Sequence, residues 1–249
     1  MPVTNIGSRW NYGFLEFYDK TRNHTVDVEA PTKLFFDFNG PAIDSTNDLN
    51  VTTVGGTMTS VNGWMTMTTS AVDDDNNEVA TELLFQAENI CVMEARLRNN
   101  DATNSAVFVG FTSAITAGAD SLPIFGQGDA LNTVAVDAAG FYHDADRTTA
   151  GNLWRAATVD TNVDGVEVDS TAPVNSQIEN FRIALDENGY AYFWHSSGTN
   201  ELEYIGSDIL VGVTPTVSLC AYVGNINRAA GNAETCDVDF IRVWGGKID

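Results

Sequence analysis

The chain has 249 residues, 43% of them hydrophobic, with 34 acidic residues against 12 basic ones and a formal charge of −22. That much apolar material supports a core and excludes a globally disordered chain. The charge excludes a reader of phosphate backbones, which needs clustered Lys and Arg, and it predicts an acidic, self-repelling surface that avoids anionic membranes.

The first 32 residues read as a unit of their own. Residues 13–19 (GFLEFYD) and 25–30 (TVDVEA) alternate apolar and polar on either side of KTRNH, which predicts a hairpin. An isolated hairpin is only marginally stable in water, so this one has to pack on its own domain or on another chain. Trp10, Tyr12, Phe14 and Phe17 make it an aromatic arm, suited to capsid or subunit contacts. Residues 33–249 form the expected main domain. Its predicted strands are 34–38, 50–54, 64–69, 82–86, 90–97, 106–112, 131–136, 140–143, 153–159 and 165–169. An acidic loop, DDDNN at 73–77, separates the third from the fourth.

The clearest local signal follows, in residues 179–206. FRIALD and YAYFWH alternate on either side of Asp186-Glu187-Asn188-Gly189, and an Asn-Gly pair between alternating runs marks a hairpin because both residues tolerate positive φ. A second turn at 196–200 leads to a third strand, so the segment reads as an antiparallel meander. Strands at 216–223 and 238–244 close the chain. No stretch carries apolar residues at helical spacing, and the predicted class is all-β, a sandwich of antiparallel sheets.

Cys91, Cys220 and Cys236 form no CxxC pair, and their odd number argues against a disulfide framework; they read as small buried hydrophobes. The N-terminus lacks the basic and apolar regions of a secretion signal, and no apolar run approaches the ~18 residues of a membrane helix. The expectation is a soluble protein made in a cytoplasm.

Several segments taken together resemble one family. FFDFNGPAIDS, the following VTTVGGTMTSVNGWMTMTTS, ICVMEARLRNN, AVFVGFTSA, AAGFYHDAD, NFRIALDENGYAYFW and DVDFIRVW are similar, in order, to segments of concanavalin A-like lectin/glucanase jelly rolls found in tailed-phage virion proteins. The likeness covers residues 33–245 and implies two curved antiparallel sheets packed face to face, with an N-terminal β-hairpin arm in front. It further implies a virion structural protein, most simply a capsid decoration (cement) protein on the capsid exterior, made in the host bacterial cytoplasm. Its partner would be the major capsid protein, and it would self-associate as a homotrimer.

Glucanases of this superfamily place three acidic residues at i, i+2 and i+4 of one strand, so that all share a sheet face. Glu167-Val168-Asp169 is followed at that spacing by Thr171, Asp237-Val238-Asp239 by Ile241, and Asp27-Val28-Glu29 by Pro31. No triplet is formed, and no catalytic residue, metal ligand or cofactor is expected. His24, His143 and His195 stand alone, with a strand-end loop as the expected home of His143-Asp144. The loop at 73–78 lacks the spaced ligand pattern of a Ca²⁺ site and reads as a hydrated surface loop. The alternative to a building block is a glycan-binding head-fibre or tail protein. Trp154 and Trp194, with Tyr204, are then the candidates for stacking on sugar rings, although large aromatics in a sandwich are as readily core.

Overall fold

The structure is a computed structural model that describes residues 6–11, 14–19, 24–25, 33–38, 49–118, 121–148, 152–210 and 212–245; up to residue 33 and over 206–210 it describes backbone pairing alone. The strands at the front of the chain are β1 (Ile6–Asn11), β2 (Phe14–Asp19), β3 (His24–Thr25), β4 (Lys33–Phe36), β5 (Asn50–Thr53), β6 (Thr57–Val61) and β7 (Trp64–Thr68). The middle holds β8 (Asn76–Ala80), β9 (Cys91–Asn99), β10 (Ser105–Thr112), β11 (Ile124–Gln127), β12 (Ala130–Thr133), β13 (Ala138–Asp144) and β14 (Arg155–Asp160). The chain closes with β15 (Val163–Asp164), β16 (Val168–Asp169), β17 (Ile178–Leu185), β18 (Ala191–Ser197), β19 (Glu203–Leu210), β20 (Cys220–Asn227) and β21 (Thr235–Gly245). A single 3₁₀ turn, Ala87–Asn89, is the helical content of the described residues, so no helix there is long and apolar enough to cross a membrane.

Two large antiparallel sheets carry the fold. The first runs β15-β14-β13-β10-β20-β8-β5, with β16 also on β14; the second runs β19-β18-β17-β9-β21-β7-β6, with β4 also on β21. Strand alternation sends Val107, Val109 and Phe111 of β10 and Phe141 of β13 inward, where they meet Met93 and Leu97 of β9, Phe181 of β17 and Val243 of β21. Phe141 lies 5.0 Å from Phe181 and 5.4 Å from Phe193, ring centre to ring centre. Each such side chain contributes about 1.5–3 kcal/mol by leaving water.

A second core lies on the other side of the first sheet. Phe108, Tyr142, Tyr222 and Ile226 point outward from β10, β13 and β20, yet they are buried, because Leu122, Ile124 and the β11–β12 hairpin cover them. The first sheet is therefore buried on both faces along these strands, whereas β9 and β21 alternate between buried and partly exposed positions.

In the N-terminal region β2 and β3 pair antiparallel, as the expected hairpin requires, and β1 adds a third strand by pairing with β2 over six residue pairs. IGSRWN has little alternation, so its strand was not visible. Three expectations need correction. Residues 76–78, read as the end of an acidic loop, open β8, a strand buried along its length. Residues 82–86 form no strand; Phe85 makes a lone bridge to Leu219. Finally, the 186–190 turn has positive φ at Gly189 but not at Asn188. Asp186 organises it instead, its carboxylate accepting from the Asn188 and Tyr190 N–H groups at 2.9 and 3.0 Å. Gly189 is needed there because a Cβ would lie 2.0 Å from the Val213 carbonyl oxygen.

Candidate binding surfaces

The outer face of the first sheet is occupied by the chain itself. At its centre the Glu78 carboxylate accepts from Asn76 Nδ2 at 3.0 Å, from the Ala117 N–H at 3.1 Å and from the Thr116 hydroxyl. Burial raises its pKa, and burial together with the Glu78 charge pushes the neighbouring Tyr222 phenol well up. Further along, Tyr142 donates to Glu167, which also takes Arg147 Nη2 at 2.6 Å. Asp144, wholly buried, is bridged by Arg228 at 2.8 Å, and Arg228 reaches Asp74 at 2.6 Å. Burial raises the Asp144 pKa against the pull of that guanidinium. These contacts tie the loops down over the sheet.

The acidic pairs singled out in the sequence are also committed to arginines. Asp169 lies 2.9 Å from Arg155, Asp237 lies 2.8 Å from Arg98 and Asp239 lies 3.2 Å from Arg96. Asp27 and Glu29 lie outside the described residues. In the 73–78 segment Asp74 turns to Arg228, Asp75 accepts from Ser70 and Glu78 points under the covering loop. Among the described residues no cluster of His, Cys, Asp and Glu is arranged to hold a metal ion.

Two histidines are core residues. His143 and Asp144 belong to β13 and are fully buried, not on a strand-end loop as expected. His143 packs edge-on against Trp154 at 4.6 Å, and burial pushes its pKa down to about 3. His195 stacks flat on Phe181 at 4.7 Å; its Nε2 lies 2.9 Å from Glu179 Oε2 and its Nδ1 lies 2.8 Å from Ser170 Oγ.

The outer face of the second sheet is different. Cross-strand register aligns Arg242, Glu94, Arg182, Trp194 and Tyr204 in one row from β21 to β19. Glu94 takes Arg182 on one carboxylate oxygen at 3.2 Å and Arg242 on the other. Arg182 sits 5.6 Å from the Trp194 ring and 5.5 Å from Trp244, and Arg242 lies 5.1 Å over Trp244. A parallel row places Phe240, Arg96, Asn180 and Ser196 side by side. The turn after β18, residues 198–202, walls this row into an open groove of about 700 Å³. Beyond it Arg98 covers Trp64 at 4.6 Å. Four of the chain's 12 basic residues thus share one face.

The two tryptophans proposed for sugar stacking part company. Trp154 is fully buried beneath the first sheet, 4.6 Å from Phe181, and has no ring face to offer a ligand. Trp194 lies on the outer face of the second sheet, 6% exposed and edge-on to Tyr204 at 5.5 Å. Trp10, Phe14 and Phe17 lie on β1 and β2, but their side chains, and Tyr12 altogether, fall outside the described residues. Phe240, Asn180 and Arg182 were missed by sequence reading; their only signal was that they share a strand face with Glu94 or Trp194.

No family model matches this sequence, and no curated protein matches it either. Solved structures do. The lectin UEA-II, in complex with galactose, superposes with a TM-score of 0.60 over 88% of this chain and 100% of its own at 10% identity. The fold is a concanavalin A-like jelly roll. The same jelly roll appears in Rv0315 of Mycobacterium tuberculosis, an immunostimulatory antigen and pseudo β-1,3-glucanase, with a TM-score of 0.57, 12% identity and coverage of 86% and 98%. The carbohydrate recognition domain of Emp47p matches at 0.55, 13% identity and coverage of 86% and 95%. At such identities the likeness is one of fold.

Proposed function

We propose that this concanavalin A-like jelly roll is a docking protein whose main role needs no catalysis, and in its specific form a bacteriophage capsid decoration protein on the capsid exterior. The observation that carries the reading is the contrast between its two outer faces. The first sheet is plugged by the chain's own apolar residues, while the second presents a flat array of Arg, Trp and Tyr, the residue types that dominate binding energy at protein interfaces. The order of the phage-like segments supports the specific form, with the major capsid protein as its partner. Self-association as a trimer belongs to the same proposal. Counting copies in purified particles tests it: hundreds per particle fit a decoration protein, and absence from particles ends the reading. Deleting residues 1–31 should leave a folded sandwich that no longer assembles.

A second reading, saccharide binding, is favoured by the open groove along Phe240, Arg96, Asn180 and Ser196, which pairs an aromatic ring with planar polar groups. Glycan-array binding lost on Asn180→Ala would support it. Binding to no glycan would remove it.

A further inference from the structure

The polar group at one side of the core has a geometry that packing alone does not require. Glu179, on β17, is 2% exposed and accepts from His195 Nε2 at 2.9 Å and from the Ser197 hydroxyl. With Glu179 as carboxylate, the imidazole carries its proton on Nε2. Its Nδ1 lone pair is then directed at Ser170, whose hydroxyl donates at 2.8 Å. The ring cannot swing away: it lies flat on Phe181, 4.7 Å off and 6° from parallel, with Trp154 at 6.1 Å. Ser170 is held as well, its N–H donating to the Trp154 carbonyl at 2.8 Å. Base and carboxylate are buried, but Ser170 is only half-buried, on the residue after β16.

A hydroxyl on a fixed base, with the base oriented by a third group, is the arrangement that activates an oxygen nucleophile. We infer that Ser170 is an activated nucleophile, with His195 as its general base and Glu179 as the positioning residue, and that it accepts an acyl group from an activated ester. In that step the Ser170 Oγ–carbonyl carbon bond forms and the hydroxyl proton passes to His195 Nδ1. The ester's carbon–oxygen bond breaks, and the departing alkoxide takes up the proton. Nothing is oxidised or reduced. The site goes beyond the docking role and uses none of the surfaces assigned to it.

A fluorophosphonate tests the nucleophile directly, because it forms a stable Oγ–phosphorus bond as fluoride leaves. The full chain is incubated with the probe and analysed by intact mass and peptide mapping. The expected result is one adduct, on Ser170, absent after unfolding and absent in Ser170→Ala. His195→Gln should slow labelling by about 100-fold or more, the contribution of a positioned general base. Glu179→Gln should slow labelling as well, because the ring loses the carboxylate that orients it, a readout that a merely structural cluster would not produce. If His195→Gln does not fold, the rate in Glu179→Gln decides. No adduct, an adduct spread over other serines, or an unchanged rate in the folded variants would overturn the inference.

Discussion

The two outer faces of this sandwich are built from similar strands and differ in what lies over them. Over the first sheet, the β11–β12 hairpin and the residues just before it place Leu122 and Ile124 onto Phe108, Tyr142 and Tyr222. Over the second, Glu94 carries Arg182 and Arg242 at a surface that the groove leaves open to solvent. The covered face does its work in folding, since its polar groups are committed to holding loops. The open face carries a groove that a partner can reach, which is the condition for a recognition surface.

Substitutions should separate the two faces. Arg228→Ala, which leaves Asp144 buried without its guanidinium, should cost about 3–5 kcal/mol, read as a large fall in the denaturation midpoint. Leu122→Ala, which opens a cavity under the cover, should cost about 2–5 kcal/mol; a change well below that would mean that the cover is loose and the face accessible.

A smaller effect should come from pH. Glu78, Asp144 and Glu234 have pKa values raised by burial, so the folded state holds protons more tightly than the unfolded chain. Their contribution to stability is complete below the ordinary carboxylate range and is lost as pH rises through their raised values. Asp101, lowered chiefly by its hydrogen bond from Thr103, acts in the opposite sense. The thermal midpoint should therefore rise as pH falls from 7 toward about 5, helped by weaker self-repulsion. Glu78→Gln should flatten that rise. The smallest change in stability should come from Arg96→Ala on the open face, within about 1 kcal/mol, since its ion pair with Asp239 is open to water and such pairs contribute little. The same substitution should weaken attachment to particles. Full attachment would place the docking surface elsewhere.

The meander at 179–206 was legible because β17, β18 and the start of β19 lie in a sheet with one outer face partly exposed, so their alternation is written in the residues. The strand β8 was not, because Asn76 and Glu78 look solvated in sequence and are buried through contacts with Ala117 and Ser121, distant in the chain. Trp154 and Trp194 looked alike as sugar-stacking candidates. Trp154 fills the space between the sheets and Trp194 lies outside them, a distinction that depends on which way each residue faces the partner sheet.

The sequence by itself determined the all-β class, the antiparallel pairing of most strands and the absence of an i, i+2, i+4 acidic triplet, because these follow from local alternation and turn chemistry. Only the tertiary structure decided which sheet face is covered, which arginine meets which carboxylate, and that Ser170, His195 and Glu179 converge. Those contacts join residues far apart in the chain, and their energy depends on burial that no local segment encodes.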